Sequence, residues 1–87
     1  MTNKDLFEKN QKLSTEFDLY LLDHPEFAAK IPDGALIVLL PKFDKDLGRK
    51  NLEMAKNFKE KRHPVVYVTV DHSLSSRLEG LHFSKVA

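Results

Sequence analysis

The stretch IPDGALIVLLP at residues 31–41 decides the fold predicted for this chain. Its six consecutive apolar residues, 35–40, follow a Pro-Asp-Gly turn signal and end at Pro41. An apolar run of this length without polar alternation, bounded by turn residues, is typical of a strand that is buried on both faces. We therefore expect the rest of the chain to cover this strand.

A second strand is predicted over residues 65–70, VVYVTV, which are rich in β-branched side chains. Between the two strands, residues 44–62 are predicted to form a helix with Asp44 as its N-cap. The side chains expected to face inward from this helix are Leu47, Met54 and Phe58, with Asn51 on the same line. This order and spacing predict a right-handed βαβ unit with parallel strands.

The first helix is predicted from about Asn3 to Leu22. Thr2 followed by Asp5 resembles a capping box at its start. Apolar residues at helical spacing then form a stripe about 60° wide: Leu6, Leu13, Phe17 and Tyr20, with Leu21 at its edge. Leu19 and Leu22 project to the opposite side, so either the sheet and the next segment together or a partner chain must cover this end of the helix. These two leucines are the candidate interface residues.

The segments that remain complete a single α/β domain of residues 1–87. Residues 25–30 are predicted to form a short helical turn. After residues 71–73, which are expected to leave the second strand, the tail fits either a short helix or a strand over residues 81–84. A short third strand or an extended arm is favoured, because two parallel strands alone make an unstable sheet. The predicted order is α-β-α-β followed by this strand or arm.

Composition limits the classes of function. The chain has 87 residues, no cysteine, 41% apolar residues and a formal net charge of +1. Disulfides and thiolate metal sites are therefore excluded, and the balanced charge argues against a dedicated nucleic-acid binder. No apolar run approaches the roughly 18 residues of a membrane span, and no signal peptide is recognisable, so we expect a cytoplasmic protein. A chain this short buries only about 60 to 65% of its unfolded surface, which favours a homodimer.

The residues that could carry chemistry follow the two predicted strands. Lys42 and Asp44 come after the first strand, and His72 and Arg77 come after the second. Because ligands favour the carboxyl ends of parallel strands, these four residues are the candidate site for a phosphate or another anion. The run Asp-His-Ser at 71–73 is not read as a catalytic triad, because adjacent residues rarely converge. The sequence contains no metal-ligand spacing, phosphate loop or cofactor motif, so no catalytic residue, metal or cofactor is predicted.

Three segments carry a resemblance to a known family: EFDLYLLDHPEF at 16–27, IPDGA at 31–35 and PVVYV at 64–68. From about Lys12 to Val70, the chain resembles a family of small prokaryotic proteins classed only as a domain of unknown function. The resemblance implies a compact α/β protein of prokaryotic origin. It brings no activity and no site residues.

The function expected from these features is a protein-interaction module that self-associates and has no catalytic activity. An apolar strand that needs cover on both faces, in a chain with only two long helices, favours a homodimer and leaves room for another protein partner. The alternative is a small-molecule or phosphate-binding protein that uses the candidate site at the strand ends. Nucleic-acid binding through the basic end of the second long helix is the least favoured.

Overall fold

The computed structural model describes residues 1–58, 63–75 and 77–84. The elements in chain order are α1 (Asn3–Asp23), α2 (Pro25–Ala28), β1 (Leu36–Pro41), α3 (Lys45–Lys56), β2 (Val65–Leu74) and β3 (Arg77–Ser84). The strands form one mixed sheet in the order β1-β2-β3. β1 is parallel to β2, as the sequence predicts, and β3 is antiparallel to β2.

The exact α-β-α-β order is not confirmed, because the short helix α2 stands between α1 and β1, while β3 lies where a short C-terminal strand or arm was predicted. β2 also continues to Leu74 through residues 71–73, which were expected to leave the strand. These polar residues stay extended because β3 pairs with this part of β2, from His72 opposite Glu79 to Leu74 opposite Arg77. The tail therefore forms a hairpin rather than a helix. The right-handed sense of the βαβ unit stays a prediction.

Local signals at the helix starts are confirmed. Thr2 accepts a hydrogen bond from the Asp5 N–H at 3.1 Å, and Asp44 accepts one from the Leu47 N–H at 3.1 Å. Each bond satisfies an amide that has no partner within its helix. The predicted stripe of α1 also faces the sheet, since Leu13 and Phe17 are buried.

The core lies between α1, α3 and one face of the sheet. It is built from a cluster of buried apolar side chains: Leu13, Phe17, Leu39, Leu47, Val68, Val70, Leu78 and Leu81. Leu6, Tyr20, Leu21, Phe27, Ile31, Ile37 and Val66 pack around it. All three strands and both long helices therefore contribute to one hydrophobic core.

The predicted inward stripe of α3 is only partly right. Leu47 and Asn51 are buried, but Met54 is 48% and Phe58 40% exposed. Phe58 lies beyond the end of α3 at Lys56, because the helix stops earlier than predicted. Met54 lines a cleft of about 280 Å³ between α1, β1 and α3 that stays open to solvent. Residues 59–62 of the predicted helix lie outside the described residues.

α3 covers the C-terminal part of the free edge of β1. The Lys42 N–H donates to Val70 O, so by alternation Leu39 and Pro41 direct their backbone groups to the edge away from β2. At that edge, Asn51 donates its side-chain amide to Leu39 O at 2.9 Å. Pro41 has no N–H to leave unpaired there. The β1 edge is thus unavailable for pairing with another strand at these positions.

Candidate functional site

A groove of about 780 Å³ lies between the C-terminal half of α1 and the start of β3. Its apolar rim comes from α1, where Leu19 is 55% and Leu22 79% exposed. Its other wall includes Arg77, Leu78 and Glu79 of β3. The two candidate interface residues therefore share one groove with the first residues of the edge strand.

The base of this groove is polar and buried. Glu16 is only 7% exposed and accepts a hydrogen bond from the Ser73 hydroxyl at 3.3 Å. This bond ties α1 to the extended part of β2. Among the lining residues, the carboxylates of Glu16, Asp23 and Glu79 outnumber the single guanidinium of Arg77. The groove therefore combines exposed leucines with a surplus of negative charge.

Stacked aromatic rings hold the end of α1 against β3. The His24 ring stacks on Tyr20 at 3.8 Å between centroids, and its Nδ1–H donates to Tyr20 O at 2.9 Å. Tyr20 meets Phe27 edge to face, and Phe27 stacks on Phe83 of β3 at 4.3 Å. Burial raises the pKa of the Tyr20 hydroxyl, and the nearby Glu26 carboxylate adds to the effect. The groove is thus built on a rigid aromatic support.

A second polar cluster centres on Asp71, on the sheet face opposite the core. One carboxylate oxygen lies 3.1 Å from Lys42 Nζ and the other 3.1 Å from His82 Nε2. Hydrogen bonds from these two partners hold the pKa of the Asp71 carboxyl below its usual value, and the bond from Lys42 has the larger effect. The Asp71 side chain lies over Gly80 of the neighbouring strand, which has φ +68°. The cluster is a set of paired charges rather than an open cation or anion site.

Asp71 makes the stability of the fold depend on pH. Because its pKa is lower in the folded than in the unfolded chain, where it is about 3.9, its stabilisation is present above that value and lost as the pH falls. We therefore expect the free energy of unfolding to decrease once the pH is lowered past about 4. Lys42→Gln removes the larger cause of the lowered pKa, so this drop becomes shallower than in the wild type.

Urea unfolding at a series of pH values measures the effect. Lys45→Gln, at an exposed lysine of α3, is the matched control, since it removes the same charge away from Asp71. Identical pH profiles for Lys42→Gln and Lys45→Gln would contradict the ion pair's contribution.

The four predicted ligand residues are not gathered at one place. Lys42 pairs with Asp71, whereas Asp44 caps α3 and pairs with Lys9 Nζ at 3.2 Å. Arg77 lines the groove at the other end of α1. Lys9 and Leu19 are ten positions apart on α1, about 15 Å along the helix, so Asp44 and Arg77 lie far apart. His72 is exposed within β2, opposite Glu79.

Sequence reasoning missed Glu16, Ser73 and Gly80. Glu16 lies three residues after Leu13 and one before Phe17, so helical spacing already places it beside the buried stripe. Ser73 and Gly80 gave no such signal, because their roles depend on the pairing of β2 with β3. In the described part of the chain, no group of three or more potential ligands is placed to hold a metal ion. None of its helices combines the length and apolar character needed to cross a membrane.

These features define a small mixed α/β protein with a three-stranded sheet and an amphipathic groove. The chain belongs to the family of unknown function DUF5647, whose sequence profile matches residues 5–81. The match extends beyond both ends of the resemblance seen in the sequence. Comparison with curated proteins and with solved structures gives no match.

Proposed function

We propose that this protein is a self-associating interaction module without catalytic activity, and that the groove between α1 and β3 is its contact surface. The observation that carries the proposal is the exposure of Leu22, 79%, and Leu19, 55%, on one side of α1 beside that groove. Two large apolar side chains held rigidly at a groove are typical of an interface. A small domain gains buried area by covering them.

The charge of the groove disfavours the alternative function, binding of a phosphate. Three carboxylates line the groove together with the single cation Arg77, and they would repel an anion. The other predicted ligand residues, Lys42 and Asp44, are engaged in ion pairs of their own. The interaction module is therefore the better-supported proposal. A cytoplasmic location, supported by the composition, and a prokaryotic origin, supported by the resemblance alone, belong to the same proposal.

Sedimentation equilibrium over a wide concentration range tests self-association. We expect the wild type to dimerise at micromolar concentrations. The double variant Leu19→Gln/Leu22→Gln should weaken the dimer at least tenfold, because it removes apolar area while keeping good helix formers.

Phe7→Gln is the matched control, since Phe7 is 66% exposed on the same helix but lies outside the groove. It should leave the dissociation constant unchanged. A strict monomer at high micromolar concentration, or equal weakening by Phe7→Gln, would overturn the proposal.

A further inference from the structure

The two edges of the sheet differ in the hydrogen bonding of their outward backbone groups. At the β1 edge, Leu39 O is bonded by Asn51, and Pro41 offers no N–H. β3 forms the other edge, and among the described residues no backbone hydrogen bond reaches its outer side. Its eight residues, Arg77–Ser84, contain neither lysine nor proline, two residues that commonly protect such edges. β1 is thus protected toward its C-terminal end, at Leu39 O and Pro41, whereas β3 is open to pairing along its second half.

The direction of the backbone groups in the second half of β3 can be assigned. Val70 O accepts a hydrogen bond from the segment after β1, so Val70 faces β1 and Thr69 faces β3. Thr69 lies opposite His82, whose backbone groups therefore face β2. By alternation, Leu81 and Phe83 direct their N–H and C=O groups outward. This assignment is confined to the second half of β3, because the burial alternation reverses at Gly80, where both Leu78 and Leu81 are buried.

We propose that two copies of this chain pair through β3, antiparallel about a two-fold axis, to form one continuous six-stranded sheet. This inference rests on the self-association proposed above and names its geometry. An antiparallel edge is complementary to itself, so the same outward groups on both copies satisfy one another. A second copy is thus the simplest occupant of the edge.

The groove supports a second copy as the occupant. It shares Arg77, Leu78 and Glu79 with β3, so a chain that pairs with the edge lies beside Leu19 and Leu22 as well. A strand of eight residues spans only about 27 Å, and a stable interface buries about 800 Å² per partner. The exposed leucines supply apolar area that the edge alone lacks. Arg77 and Glu79 carry opposite charges, so two adjacent edges do not accumulate charge of one sign.

Amide hydrogen exchange of the full chain, followed by NMR at concentrations below and above the dissociation constant, tests this pairing. We expect the Leu81 and Phe83 amides to exchange at least tenfold more slowly in the dimer. The His82 and Ser84 amides are the internal control, because they already face β2 and should change much less.

The outcomes separate the two proposals. A dimer in sedimentation whose Leu81 and Phe83 amides exchange as fast as in the monomer would overturn β3 pairing and leave self-association standing. A monomer at every concentration would overturn both self-association and β3 pairing. The same holds if a different protein is found to bind the β3 edge of that monomer.

Discussion

Gly80→Ala is expected to destabilise this protein more than alanine at either of the other glycines. Gly80 has φ +68°, and a Cβ placed there would lie 2.5 Å from Asp71 Oδ2 and 2.6 Å from Asp71 Cβ. The left-handed backbone costs an alanine about 1 to 2 kcal/mol, and the steric overlap adds about 1 to 3 kcal/mol. The sum is a large part of the roughly 4 to 13 kcal/mol that a domain of this size has.

Thermal or urea unfolding measures the loss, which should lower Tm by about 10 °C or more. Two alanine variants separate its causes. Gly34 has φ +72° but only His63 Nδ1 nearby, at 3.6 Å, so Gly34→Ala should show the backbone cost alone. Gly48 lies in α3 with its nearest neighbours at 3.7 Å, so Gly48→Ala should stabilise the protein by up to about 1 kcal/mol.

The double variant Asp71→Gly/Gly80→Ala isolates the overlap. Removing the whole Asp71 side chain, including the Cβ that alanine would keep, leaves room for a Cβ at position 80, so the two changes together should cost less than the sum of the single changes. Strict additivity, or a Gly80→Ala loss no larger than that of Gly34→Ala, would contradict the close approach of Asp71.

The parts of the fold that depend on local signals could be predicted from the sequence. The apolar run before Pro41 and the helix between two strands were sufficient to predict the parallel pair. Thr2 and Asp44 were sufficient to predict where the two long helices begin. The extension of β2 to Leu74 could not be predicted, because residues 71–73 are polar and stay extended only through pairing with β3. The burial of Asn51 agrees with its helical spacing, but its bond to Leu39 O depends on where α3 lies beside β1.

The candidate site likewise contains residues whose position could be predicted from the sequence and residues whose position could not. The angular position of Leu19 and Leu22 on α1 predicted that they would lie away from the core, and they are exposed. That Arg77 and Glu79 stand opposite them could not be predicted, because it follows from the β2–β3 hairpin. The rule that ligands favour the ends of parallel strands placed Arg77 with Lys42 and Asp44. The continuation of β2 instead carries Arg77 to the far end of α1.

Asn51 gives the second large expected effect, because one buried side chain joins α1, α3 and the β1 edge. Asn51 is 6% exposed, exchanges hydrogen bonds of 2.8 and 2.9 Å with Asn10, and donates to Leu39 O at 2.9 Å. Asn51→Ala removes three bonds of about 1 kcal/mol each and leaves Leu39 O without that donor. We expect a loss of about 2 to 4 kcal/mol in urea unfolding.

The position of the Asn51 amide suggests a consequence beyond stability. Without it, the β1 edge presents a free carbonyl to other chains, so Asn51→Ala should form larger assemblies than the wild type in sedimentation. Asn10→Ala is the matched control, because it removes the two bonds between the asparagines and keeps the one to Leu39 O. It should lose less stability, about 1 to 2 kcal/mol, and form no larger assemblies. If Asn10→Ala and Asn51→Ala associate alike, closing the β1 edge is not the role of Asn51, and the contrast between the two sheet edges loses its support.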